Sequence, residues 1–327
     1  MAKNLRYCFA AKIFCAALRH QKLPPNIQHG LYKHMTTLHV FGCSISQGFA
    51  LPDVVKPLLD DQGDPLSPDV AAQQIKELGI PWTDIHLYQP SDHAWPKVLA
   101  DRLAVPVVNH ARRGACFQQI ARQCAAAQST ITSDDIVIVM WTYISRLSLQ
   151  WPARTAVPFC NIADPNWGWR TVMLGFNRLF GLEHSKTTTQ ATEDHIQQYI
   201  EKSTKETYLD PMGVYNRYYN SLVLQSMTDG FLRATGARVI HLSVEMEPVL
   251  DQLEQARSQL DATLREPYVI PDPAEWYRVP VDYDSCYVIL DPRIPPAEND
   301  MHPSVLHHAN FAQHIHKRYF KDQPVAL

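Results

Sequence analysis

Four short apolar runs, at residues 38–43, 106–109, 135–141 and 238–243, recur along this chain with helical stretches between them. Each run is rich in β-branched residues and predominantly apolar, as expected of parallel strands buried on both faces. The intervening stretches at 95–103, 117–128, 215–234 and 305–319 carry helical patterning, and Gly236 follows the third as a C-cap. Strands separated by helices make βαβ units. The expected fold class is therefore α/β: a three-layer α/β/α arrangement, flavodoxin-like, with a mostly parallel central sheet. In such sheets, sites form at the carboxyl ends of the strands.

Composition narrows the class of partner. The 327 residues are 46% apolar and 19% charged, enough to bury a substantial core. A net charge of −3 with no basic stripe argues against a nucleic-acid partner. Seven cysteines form no CxxC pair, which suits free thiols in a reducing compartment and a cytoplasmic location. No run reaches the roughly 18 apolar residues of a membrane span. Residues 1–34 hold six Lys or Arg and no acid. They read as a loosely attached basic extension, with a targeting peptide as the alternative. Residues 35–325 read as one domain with two insertions. The first, 49–92, is proline-rich with one helix near 70–77. The second, 150–190, is irregular and aromatic, with Trp151, Trp167 and Trp169 suited either to covering a site or to packing a long loop.

The chemistry concentrates at two places. Phe41-Gly42-Cys43-Ser44-Ile45-Ser46-Gln47-Gly48 follows the first strand, so Ser44 sits at a strand–turn–helix junction where a hydroxyl can be presented as a nucleophile. Roughly 250 residues later, Asp300-Met301-His302-Pro303-Ser304 offers an acid and a histidine on one loop. A serine hydroxyl needs a base within hydrogen-bond reach, and His302 is the candidate. Asp300 would orient the imidazole and stabilise its charged form, with Glu298 as the fallback acid. A bland alternative for Ser44 is a helix N-cap, and for Cys43 a small buried residue supporting the turn rather than a thiol nucleophile.

At these blocks the chain resembles the SGNH (GDSL-type) serine hydrolases. The octapeptide is similar to that family's FGDSxxxG, with cysteine in place of aspartate. Asn109-His110-Ala111-Arg112-Arg113-Gly114 is similar to its N-x-A-x-x-G segment, residues 135–142 occupy the place of its strand ending in G-x-N-D, and Asp300–His302 precedes its terminal helix. The resemblance implies an ester hydrolase working through Ser44, His302 and Asp300. It also implies an oxyanion hole from the N–H groups of Ser44 and Gly114 and an asparagine side chain. That asparagine is absent here. Thr142 is the expected replacement, with Ser145 and Arg146 as alternatives.

Asn109, Trp141 and Arg146 are expected near substrate; Asn109 can instead satisfy backbone groups, and Arg146 can clamp an anionic group or pair with Asp92. Gly114 can serve as an oxyanion donor or simply allow an unusual backbone angle. The histidines 307, 308, 314 and 316 have no completing ligand at useful spacing. They are expected to be solvated or capping rather than metal-binding, with His308 buttressing the catalytic loop. No metal or cofactor is called for. The expected partner is a small-molecule or glycan ester, acted on by an esterase of acetylesterase type. The alternative is a non-catalytic ligand-binding or structural protein that reuses the fold.

Overall fold

The computed structural model describes residues 36–54, 62, 70, 89–150, 169–173, 198, 202, 211–263, 279–297 and 302–322. Along the chain come β1 (Leu38–Phe41), α1 (Ser44–Gln47), α2 (Trp95–Leu103), β2 (Val107–Asn109), α3 (Phe117–Ala127) and β3 (Ile136–Trp141). Then follow β4 (Arg146–Gln150), β5 (Trp169–Met173), α4 (Pro211–Arg233), β6 (Arg238–Ser243), α5 (Val249–Thr263), β7 (Val281–Asp282), α6 (Cys286–Ile289) and α7 (Val305–Tyr319). The central sheet runs β2-β1-β3-β6-β7 with every neighbouring pair parallel. Every residue of β1 and β3 is buried, so both faces of the sheet are covered, giving the three layers that the apolar strand runs imply.

Local sequence explains the helices that frame the site. Pro96 occupies the first turn of α2, where its missing N–H costs nothing, and Ala104 closes the helix in the left-handed region with φ 53°. Buried Trp95 meets Phe311 of α7 edge to face at a ring separation of 5.3 Å, fixing the two helices together. Truncating either ring would cost about 3–5 kcal/mol. The α7 start is capped by Ser304, whose N–H donates to the His307 ring Nδ1 at 3.1 Å. His307 Nε2 also lies 3.0 Å from the Asp291 carbonyl, so α7 begins at a pinned point three residues after His302.

Chain order sets where a ligand can lie. From β1 the chain crosses to β2 on one side and then to β3 on the other, so the strand order reverses at β1. A crevice opens at the carboxyl ends on either side of such a reversal, and Ser44 stands there.

Several elements differ from the sequence expectation. β1 ends at Phe41 rather than Cys43, because residues 44–47 wind into a helical turn. The third long helix starts at Pro211, four residues early. The aromatic insertion contributes a strand, β5, paired antiparallel with β4; Trp151 and Trp167 lie outside the described residues. So do residues 1–34 and the expected helix of the first insertion, apart from Val70. Among the described residues, no helix is long and apolar enough to cross a membrane.

Candidate active site

The turn that carries Ser44 is built by close packing. Gly42 allows it: a Cβ there would fall 2.4 Å from Ser46 Oγ and 2.8 Å from Ser46 Cβ. Cys43, fully buried, is the N-cap residue of α1 but makes no side-chain cap bond. Ser44 is therefore the first helical residue rather than the cap, and its N–H has no intrahelical acceptor. Gly48 ends the turn at φ 78°, with Ala94, Ser91 and Leu51 packed too closely for any side chain.

His302 reaches this turn. Its Nε2 lies 3.0 Å from Ser44 Oγ, across 258 residues of sequence. Its carbonyl accepts the Ala297 N–H at 2.8 Å, which fixes the backbone of the histidine loop. The Ser44 side chain is almost wholly enclosed, its residue only 2% exposed. Asp300 and Glu298 lie outside the described residues.

The glycine loop is brought beside the same turn by two backbone bonds. His110 N–H donates to the Val40 carbonyl at 2.8 Å and Arg112 N–H to the Gly42 carbonyl at 3.1 Å. Residues 112–115 then form a β-turn closed by Ala115 N–H to the Arg112 carbonyl, with Gly114 third at φ 68°. Only glycine adopts that conformation without strain. Asn109 braces the two segments: its amide donates to the Ser46 carbonyl at 2.8 Å and its carbonyl accepts Ala111 N–H at 3.0 Å. Both ends of the carboxamide thus bond to backbone, the role in which Asn109 satisfies backbone groups beside the site.

The segment after β3 is also held. Thr142 is fully buried and accepts a hydrogen bond from Arg146 Nη1 at 2.9 Å; the same nitrogen donates to the Ala115 carbonyl at 3.3 Å. The Arg146 guanidinium lies 5.2 Å over the Tyr143 ring. Arg146 therefore links the Thr142 segment to the glycine loop. The suggested pairing with Asp92 is corrected, since the Arg146 guanidinium is directed to Thr142 and the Ala115 carbonyl instead. Glu245, just beyond β6, accepts Ile144 N–H at 2.6 Å and ties the segment to the sheet. Burial raises the Glu245 pKa above its ordinary value, and burial also pushes the Tyr143 hydroxyl up to about 12.

Trp141 is a second correction. Its ring is fully buried, stacked on Phe117 at 5.0 Å, and its indole N–H donates to His241 Nδ1 at 3.1 Å. A side chain so enclosed packs the core and meets no substrate. The C-terminal histidines differ from expectation in burial alone, since the capping role is met by His307. His307, His308 and His316 are buried rather than solvated. His307 caps α7, while His308 Nδ1 accepts Trp95 N–H at 3.1 Å and joins α7 to α2. Among the described residues, no group of three or more His, Cys, Asp or Glu side chains could hold a metal ion.

Sequence reasoning passed over Phe49 and Glu245. Phe49 packs against the His302 ring with centroids 4.9 Å apart. It directly follows the Gly48 that ends the octapeptide, and that adjacency was the available signal. Glu245 carries no comparable mark.

Solved structures similar to this chain include G-D-S-L family proteins. One, described as a lipolytic protein of that family from Desulfitobacterium hafniense, is 11% identical, with 86% of this chain and 98% of that one covered and a TM-score of 0.33. A second from Veillonella parvula, of the same family, is 13% identical over 88% and 98% of the two chains, with a TM-score of 0.34. An acetyl xylan esterase from Butyrivibrio proteoclasticus is 11% identical over 91% of this chain and 66% of its own, with a TM-score of 0.33. No family model matches the sequence, and no curated protein does either.

Proposed function

We propose that the protein is a serine ester hydrolase that acts through an acyl-enzyme. The observation that carries the reading is the 3.0 Å approach of His302 Nε2 to Ser44 Oγ at the carboxyl end of the central sheet. In this mechanism Ser44 Oγ attacks the ester carbonyl carbon while its proton passes to His302 Nε2. Asp300 orients the imidazole through Nδ1 and stabilises its charged form. The tetrahedral oxyanion is received by the N–H groups of Ser44 and Gly114 and by the Thr142 hydroxyl. Thr142 can serve because accepting from Arg146 leaves its one O–H free to donate. Collapse expels the alkoxide, which takes the proton back from His302. A water, deprotonated in turn by His302, then releases the acid and restores Ser44.

The substrate class proposed is a small or glycan ester, with an acetyl group as the acyl part. Purified protein is assayed with p-nitrophenyl acetate, butyrate and octanoate and with an acetylated oligosaccharide. Turnover that is lost in both Ser44→Ala and His302→Ala is expected. Turnover that survives Ser44→Ala would overturn the proposal, and binding of an acetylated sugar without turnover would favour a ligand-binding module.

A further inference from the structure

We infer that Phe49 is a positioning residue for the catalytic base, holding the His302 imidazole at the angle from which it meets Ser44; the inference rests on the proposed hydrolase site. The first observation is contact. Phe49 meets the His302 ring edge to face, with centroids 4.9 Å apart and planes at 67°. Such a contact restrains both ring position and ring tilt.

The second is the company Phe49 keeps. With Ala50 and Ala297 it forms a small apolar cluster separate from the main core. Ala297 is the residue whose N–H holds the His302 carbonyl at 2.8 Å. One aromatic side chain thus packs against both the imidazole and the residue that fixes its backbone.

The third is the backbone that presents it. Phe49 lies between Gly48 at φ 78° and Ala50 at φ 69°. A left-handed alanine is uncommon and persists only where the surroundings enforce it. Phe49 N–H donates to the Ser44 carbonyl at 3.0 Å, which locks this turn onto the nucleophile's own residue. The face of the Phe49 ring carries the Arg113 guanidinium at 4.2 Å. Arg113 directly precedes Gly114, so the ring also joins the base to the glycine loop. The Phe49 ring therefore touches the base and the residue before the proposed oxyanion donor, while its backbone N–H holds the carbonyl of Ser44.

Three variants, Phe49→Leu, Phe49→Tyr and Phe49→Ala, are compared with the intact protein by two readouts. The first is the second-order rate of Ser44 labelling by a fluorophosphonate, with kcat and KM for p-nitrophenyl acetate alongside. Phe49→Leu keeps the bulk but not the flat ring, and it is expected to slow labelling and lower kcat about ten-fold or more while KM stays within about two-fold. Phe49→Tyr is expected to restore the rate. The second readout needs no activity: the His302 ring-proton resonances, assigned by their loss in His302→Ala, are expected to shift when the Phe49 ring current is removed. If Phe49→Ala does not fold, the leucine variant still decides. Folded Phe49→Leu with wild-type labelling, kcat and His302 resonances overturns the inference. A wild-type protein that does not label, but whose His302 resonances shift in Phe49→Leu, overturns the hydrolase reading and leaves the packing of His302 by Phe49 standing.

Discussion

A single methyl group at Gly42 tests how tightly the nucleophile is held. In Gly42→Ala the new Cβ would lie 2.4 Å from Ser46 Oγ, 2.8 Å from Ser46 Cβ and 3.4 Å from the Met140 carbonyl oxygen. The hydroxyl can rotate away, but only by giving up its 3.1 Å contact with Met140 Sδ. Ser46 Cβ cannot move unless α1 moves, and β3 blocks the retreat on the other side. Overpacking of this kind costs typically about 1–3 kcal/mol. Ser46 is two residues from the nucleophile on a four-residue helix, so the displacement passes to Ser44. A shift approaching 1 Å there can slow the chemistry about 100-fold. Thermal unfolding and the rate of Ser44 labelling by a fluorophosphonate measure the two effects separately. The double variant Gly42→Ala with Ser46→Gly removes both clashing atoms, and it is expected to regain most of the labelling rate. A Gly42→Ala protein that melts and labels like the wild type would refute the reasoning.

Three further outcomes are expected. Burial, followed by the nearby His307 and His302, holds the His308 pKa down to about 3, whereas the unfolded chain protonates this group near 6.5. The neutral folded form is therefore favoured above 6.5, and stability is lost as the pH falls from there toward 3, at about 1.4 kcal/mol per pH unit from this group. Urea unfolding at several pH values checks this, with His308→Gln expected to flatten the slope. Asp300→Asn is expected to lower kcat about 10⁴-fold while leaving the melting temperature nearly unchanged; a loss under ten-fold, with a large loss in Glu298→Gln, would transfer the role to Glu298. Arg146→Met removes a charged donor from Thr142 Oγ1 and the Ala115 carbonyl. It is expected to slow esterase turnover about ten-fold or more.

The parts of the fold that were legible in the sequence are those where hydrophobic period and chain punctuation agree. Residues 95–103 and 305–319 are helices at the expected bounds because Ala104 and Ser304 close and open them. β3 was visible as an unbroken apolar run because both its faces are covered. α5 was passed over, although Val249, Leu253 and Ala256 mark one face at spacings of four and three. β7 is two residues long and exists through its pairing with His241 and Leu242, which no local pattern encodes. At the site, Ser44 and His302 could be singled out because candidate nucleophiles and bases are drawn from few residue types and these two sit at motif positions, and the structure places them 3.0 Å apart. What could not be read was direction. Trp141 ends a strand beside the site, yet its ring turns into the core, where Phe117 and His241 receive it. Arg146 finds Thr142, four residues away, rather than Asp92, since the turn into β4 places the two side chains together. The C-terminal histidines look solvent-loving by type. Their burial depends on α7 packing against α2, which is a tertiary fact.

The central claim is that Ser44 is a nucleophile activated by His302. The most direct measurement is exposure of the folded protein to a fluorophosphonate probe, followed by peptide mass spectrometry to locate the adduct. A covalent adduct on Ser44 that is absent in His302→Ala is predicted. Folded protein that carries no adduct, or that labels equally without His302, would contradict it.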